Sequence, residues 1–246
     1  MDESGIVLYA ADGVRLDAVH LRGDGDLAIV MAHGFSGTWR HPRTRNIAAT
    51  LRRFGGVIGF DFRGHGGSTG VSTVGDQEIL DVDAAVTHAR DQGYSTVAVV
   101  GFSMGASVAV RHAALLGGVD AVASVSGPAH WYYRGTTMMR WVHRAVEWRT
   151  GRAFSRAALR TRIGIGWEQI PLTPEQVAGK ISPTPLLVVH GDRDRFFPLR
   201  HAHAIYDAAG QPRQLWIEPG MGHAESGTTP PLARRLGAWL AEAARR

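Results

Sequence analysis

Short apolar runs alternate with segments of helical period along the whole chain. Residues 5–10 and 14–22 flank the turn Ala11-Asp12-Gly13 and predict an N-terminal hairpin. A continuous apolar run at 27–32 and short, mainly apolar runs at 56–62, 96–102, 121–125, 186–190 and 214–218 predict six further strands. Between them, 43–54, 76–92, 104–116, 199–209 and 230–245 predict helices; in the second, Ile79, Val82 and Val86 recur at i, i+3 and i+7. Residues 137–149 predict one amphipathic helix, with Met138, Trp141, Val142, Ala145 and Trp148 on one face and Arg140, Arg144 and Arg149 largely away from it.

Strands apolar along their whole length are buried on both faces, and their alternation with helices predicts a mostly parallel eight-stranded sheet under two helical layers. In such sheets the ligand site lies beyond the carboxyl ends of the strands. His33-Gly34, Ser103, the segment from Asp192 to Asp194 and Gly222-His223 all fall at those ends.

Composition narrows this picture. The 246 residues suit one α/β domain. Cysteine is absent, which excludes disulfides, thiol chemistry and thiolate metal sites. No run of 18 apolar residues predicts a membrane span, and the acidic start of the chain is unlike a secretory signal, so a cytoplasmic protein is the expectation. The net charge of +5 is concentrated: residues 127–183 carry nine Lys/Arg against three Glu, and the remainder is close to neutral. That segment also holds Trp131, Trp141, Trp148 and Trp167, four of the seven tryptophans. A basic balance suits nucleic acid, but no nucleic-acid module accompanies it and none is expected as a partner.

The pattern Gly-x-Ser-x-Gly, a strand-to-helix turn too tight for side chains two before and two after the serine, occurs twice. Gly101-Phe102-Ser103-Met104-Gly105 follows an apolar strand and opens a helix, which puts Ser103 at the helix's positive end. Gly66-Gly67-Ser68-Thr69-Gly70 follows a glycine-rich loop and opens no helix, so Ser68 reads as a turn residue. A serine hydroxyl needs a base within reach, and the base needs an acid that sets its tautomer. Four histidines follow residue 183. His190 ends a strand, His201 and His203 sit on a helix and are expected to face solvent, and His223 lies in a glycine-rich loop after the last strand. Asp192 and Asp194 share one loop and both are available as the acid.

With Ser103 so placed, residues 5–126 and 184–245 resemble the α/β-hydrolase superfamily. They are most similar to its esterase and lipase branch, which includes monoacylglycerol lipases, feruloyl esterases and serine aminopeptidase-like hydrolases. The matching pieces are His33-Gly34-Phe35, Asp61-Phe62-Arg63-Gly64-His65-Gly66-Gly67-Ser68, the turn at 101–105, His190-Gly191-Asp192-Arg193-Asp194 with Pro198, and Gly222-His223. The resemblance implies Ser103 as nucleophile, His223 as base and Asp194 as acid, Asp192 then shaping its loop. It implies the backbone N–H groups of Met104 and Phe35 as the oxyanion hole, with Phe35 also able to line the acyl pocket and the Ser36 hydroxyl a further possible donor. It gives His65 no catalytic part. Residues 1–126 and 184–246 would form the core, and 127–183 a short helical lid whose Trp131 and Trp141 contact substrate. The lid arginines would meet an anionic substrate group, or an anionic membrane surface, or simply solvent.

The expected activity is hydrolysis of a carboxylic ester of small to medium acyl chain through an acyl-serine intermediate, with no cofactor and no metal. An acyl thioesterase uses the same residues, and a low-turnover ligand receptor on the same fold is a reading of a different class. Aspartate-nucleophile relatives are set aside because position 103 is serine. Neither a His-Glu-x-x-His metal motif nor a Gly-x-x-x-x-Gly-Lys phosphate loop occurs.

Overall fold

A computed structural model describes residues 5–245, so the acidic start at residues 1–4 lies outside the described residues. The apolar runs become β1 (Gly5–Tyr9), β2 (Arg15–Leu21), β3 (Leu27–Ala32), β4 (Gly56–Phe60), β5 (Thr96–Phe102), β6 (Ala121–Val125), β7 (Leu186–Gly191) and β8 (Arg213–Glu218). They form one sheet in the order β1-β2-β4-β3-β5-β6-β7-β8. β2 pairs antiparallel with β1 and with β4, and every other neighbouring pair is parallel.

Unbroken apolar strands are needed in the middle of the sheet because each central strand feeds two cores. In β3, Ala28, Val30 and Ala32 point into one and Leu27, Ile29 and Met31 into the other. The first core is closed by α2 (Glu78–Asp91), α3 (Met104–Leu115) and α7 (Arg200–Ala208), and the second by α1 (Pro42–Leu51) and α9 (Pro230–Ala243). Short turns α6 (Pro174–Val177) and α8 (Ala224–Gly227) complete the core region. No helix among the described residues is long and apolar enough to cross a membrane.

Between β6 and β7 the chain leaves the sheet. Instead of one helix it forms α4 (Thr137–Glu147) and α5 (Arg149–Ala158), broken at Trp148, whose ψ of 140° is extended. Gly151 accounts for the turn: a Cβ there would lie 2.2 Å from the carbonyl oxygen of Arg144, so α5 can fold back on α4 only through a residue without a side chain. The returning chain is stitched to the loop after β4. Arg162 N–H donates to Gly64 O (2.7 Å), Ser72 N–H to Arg162 O (2.7 Å) and Gly164 N–H to Ser72 O (2.9 Å).

That loop is itself clamped by a buried ion pair. Arg63 donates through Nε and Nη2 to Asp81 Oδ1 (3.0 and 2.8 Å) on α2 and through Nη1 to Asp12 (2.7 Å) in the hairpin turn. The Arg63 side chain is 2% exposed and that of Asp81 is fully buried. Removing one member leaves the other charge buried without a partner, which costs about 3–5 kcal/mol. Arg63→Met is therefore expected to lower stability by about that amount, measured by urea unfolding at neutral pH. A loss below about 1 kcal/mol would mean that the clamp does not hold the loop.

Candidate active site

Ser103 stands between β5 and α3 with φ 51° and ψ −115°, a conformation non-glycine residues rarely adopt. Its neighbours explain how it persists. A Cβ at Gly101 would lie 2.2 Å from Gly105 O, and one at Gly105 would lie 2.3 Å from Ala32 O at the end of β3. Three backbone segments thus meet with no room for side chains, and the turn has nowhere to relax. The second Gly-x-Ser-x-Gly is a different object. Ser68 is buried, its Oγ donates to Asp61 O (2.5 Å) and accepts from Asp17 N–H (2.9 Å), and it does not line the cavity onto which Ser103 opens.

His223 reaches Ser103 across 120 residues, with Nε2 2.8 Å from Ser103 Oγ. Its Nδ1 lies 2.7 Å from Asp194 Oδ2. The Asp194 side chain is fully buried and accepts at Oδ1 from the N–H groups of Phe196 (2.7 Å) and Phe197 (3.1 Å). The other loop aspartate, Asp192, accepts from Gly220 N–H (2.7 Å) and so ties its loop to the one leading to His223. Burial pushes the Asp194 carboxyl upward, but the hydrogen bond and charge of His223 and the two amides outweigh it and hold Asp194 below the ordinary carboxylate range. A carboxylate on Nδ1 leaves Nε2 free to accept the Ser103 hydroxyl hydrogen.

Sequence reasoning missed several supporting groups. The Phe196 ring stacks on the His223 imidazole at a centroid separation of 4.2 Å. His190 is buried behind Asp194, with Nε2 2.9 Å from Phe197 O, and burial lowers its pKa. His201, expected to face solvent, is fully buried, whereas its neighbour His203 is exposed. The α7 face bearing His201 packs under Ala129, whose N–H donates to His201 Nδ1 (3.2 Å). Two polar residues on one helix cannot be sorted by type when packing decides which faces the core.

Facing Ser103, the loop after β3 is fixed by His33. Its Nδ1 donates to Gly34 O (2.7 Å) and its Nε2 accepts from Phe62 N–H (3.0 Å). Burial lowers the His33 pKa to about 4, so the ring is neutral and can do both. His65 is buried beside it, its Nδ1 2.9 Å from Arg63 O. Among the described residues, neither the Phe35 N–H nor the Met104 N–H is engaged in a hydrogen bond.

Ser103 and His223 open onto a cavity of about 630 Å³. Its walls come from the core (Phe35, Met104, Phe196) and from the insert (Trp131, Val142, Trp167), and they are mainly apolar. Trp131 is held by a hydrogen bond from Nε1 to Pro171 O (2.7 Å). Trp141 does not line the cavity: it is 60% exposed, with the Arg144 guanidinium over its ring. The face of α4 on the cavity carries Met139, Val142, His143 and Val146, rotated from the face expected to roof the site. No cluster of three or more metal-ligating side chains comes together among the described residues.

The strand order, the turn at Ser103 and the loops at the sheet's carboxyl edge are those of α/β hydrolases. The model of the family described as "Alpha/beta hydrolase family" matches residues 29–234, and the chain belongs to that family. Among curated proteins it is similar to the uncharacterized protein YfhR of Escherichia coli K12, 33% identical over 52 residues. That match spans 21% of this chain and 18% of YfhR. Its fold is shared with the Pyrococcus furiosus esterase Pf2001 (TM-score 0.77, 22% identity, 99% of this chain and 93% of that one). It is shared also with the α/β hydrolase GrgF from Penicillium sp. sh18 (0.79, 19%, 100% of both). A third is Est1E of Butyrivibrio proteoclasticus, solved with ferulic acid bound (0.69, 18%, 98% of this chain and all of that one).

The electrostatics of Asp194 have a consequence for stability. A carboxyl held below its unfolded pKa stabilises the fold above that value, and the contribution is lost as pH falls through the folded one. Asp194→Asn removes the titration. The stability gap between wild type and this variant is expected to be widest near pH 7 and to shrink below about pH 4, measured by urea unfolding across that range. A gap independent of pH would contradict the charge-assisted pairing of Asp194 with His223.

Proposed function

We propose that this chain is a serine hydrolase that cleaves a carboxylic ester of small to medium acyl chain through an acyl-Ser103 intermediate. The observation that carries the reading is the unbroken relay from Ser103 Oγ through His223 to buried Asp194, at 2.8 and 2.7 Å, at the floor of an apolar cavity. In this mechanism His223 Nε2 takes the Ser103 proton as Oγ attacks the ester carbonyl. The N–H groups of Met104 and Phe35 receive the oxyanion, and each such donor is worth about 3–4 kcal/mol in the transition state. The carbonyl re-forms, the C–O bond to the alcohol breaks, and His223 returns the proton to the departing oxygen. Water then attacks the acyl-serine by the same route, releasing the acid and restoring Ser103.

The cavity favours an uncharged, partly aromatic or aliphatic acyl group. Of the insert's arginines, Arg152 lines it, and that guanidinium donates to the carbonyls of Val146 and Glu147 at the end of α4 (3.2 and 2.9 Å). Glu147 is paired with Arg134 and His143. Arg140 and Arg144 lie exposed on the outer side of α4. Among the described residues, an anionic group deep in the site would meet, of the insert's arginines, Arg152 alone, and its Nη1 is already engaged by two carbonyls, which weighs against a carrier phosphate there. Residues 127–183 act as the lid in this reading, with Trp131 rather than Trp141 against the acyl chain.

Labelling with a fluorophosphonate, followed by turnover of p-nitrophenyl esters and acyl-CoAs, tests the proposal. Wild type and Ser68→Ala should label and hydrolyse the esters, and Ser103→Ala should do neither. Asp194→Asn should lower kcat by roughly ten-thousandfold, the loss seen when a triad acid is neutralised. Preference for acyl-CoA would replace the ester reading with a thioesterase, and binding without labelling or turnover would point to a receptor.

A further inference from the structure

The carboxylate of Glu225 is a polar group of the site to which neither the triad nor the oxyanion donors give a part. It lines the cavity, and its Oε1 accepts from Gly34 N–H at 2.7 Å, a contact spanning 191 residues. Gly34 is gripped at its other end too, its carbonyl accepting from His33 Nδ1 (2.7 Å) and from Gly37 N–H (2.9 Å). The residue is wedged between the nucleophile and the carboxylate. A Cβ on Gly34 would meet Ser103 Cβ at 3.2 Å and Glu225 Oε2 at 3.4 Å. The next N–H along the chain is that of Phe35.

Glu225 is also coupled to His223 through a single turn. His223 precedes α8, in which Ala224 has φ 47° and donates its N–H to Ser126 Oγ (3.0 Å), itself buried. The His223 carbonyl accepts from Ser226 Oγ (2.6 Å) and Gly227 N–H (3.0 Å). On this pinned turn, residue 223 meets Ser103 and residue 225 meets the loop after β3.

Resting on the hydrolase reading above, we infer that Glu225 is a positioning residue: by holding Gly34 N–H it fixes the His33–Gly34 peptide, and through the Gly34 Cα the adjoining Gly34–Phe35 peptide, so that the Phe35 N–H faces the developing oxyanion, and it ties that donor to the same turn that carries the base. A free carboxylate beside an oxyanion would oppose catalysis. Here its charge is directed at a backbone donor, and burial raises the Glu225 carboxyl above the ordinary range against the opposing pull of Gly34 and of its own N–H. Either protonation state retains an oxygen able to accept from Gly34.

The test compares Glu225→Ala with Glu225→Gln, which keeps the acceptor and removes the charge. Two readouts are taken: kcat and KM on a p-nitrophenyl ester, and hydrogen exchange at the Gly34 amide, which is independent of turnover. Loss of a hydrogen bond to a charged acceptor should speed Gly34 exchange in Glu225→Ala by roughly tenfold to a hundredfold. kcat should fall by about 10- to 100-fold, less than deletion of an oxyanion donor, with KM within about threefold. Glu225→Gln should restore Gly34 protection and recover most of kcat. Unchanged Gly34 exchange in Glu225→Ala overturns the proposal. So does faster exchange with kcat intact, or a loss of kcat that Glu225→Gln shares in full. Wild type that neither labels with fluorophosphonate nor hydrolyses esters is a separate failure, seen before any variant is made; it overturns the hydrolase reading, and the proposal falls with it.

Discussion

The structure turns on one steric constraint, the meeting of three backbone segments around Ser103. The carbonyls at the end of β3, the turn leaving β5 and the first turn of α3 approach so closely that Gly101 and Gly105 have no space for a Cβ. This contact holds Ser103 at a positive φ. It also sets the distance between the hydroxyl and the loop after β3, where the Phe35 N–H lies. Backbone packed against backbone has few soft degrees of freedom, which suits a place where a displacement of an ångström would be costly.

Around that point, polar side chains pair in sets that each join segments distant in sequence. Asp194 joins the loop after β7 to His223, His33 joins the loop after β3 to the end of β4, and Glu225 joins α8 to Gly34. Arg63 does the same for the β4 loop, α2 and the N-terminal hairpin. A buried polar group without a partner is penalised far more than a paired one is rewarded. Such sets therefore specify a single arrangement of loops more than they add stability. The neutral state of His33 follows from the same burial.

The insert is built to another rule. It has few fully buried side chains: α4 has none and α5 only Ser155. It is secured on both its outgoing and returning sides: Thr136 Oγ1, just before α4, donates to Phe196 O (2.9 Å), and residues 162–164 pair with the loop after β4. Its tryptophans divide between two environments: Trp131 and Trp167 face the cavity, and Trp141 and Trp148 are exposed at 60% and 57%. On α4, Arg144 covers apolar rings as much as it presents charge, lying over both Trp141 and Trp148.

The sequence alone determined the eight strands, the two helical layers and the distinction between Ser103 and Ser68. These rest on local rules: strand period, doubly buried apolar runs, and glycines where a turn excludes side chains. It also singled out His223, and by resemblance Asp194 and Phe35. Where it misread, the deciding contact was with residues far along the chain. His201 looked solvent-facing because a histidine on a helix carries no sign of what packs over it. Helix 137–149 was read with the wrong apolar face toward the site and without its break, since Met139 and Trp141 differ in burial only through what lies beneath α4. Glu225 had no local signature, because its meaning is a hydrogen bond to Gly34. Tertiary structure made that choice by bringing the last loop of the chain against the first loop of the parallel sheet, a pairing that neither segment's own composition encodes.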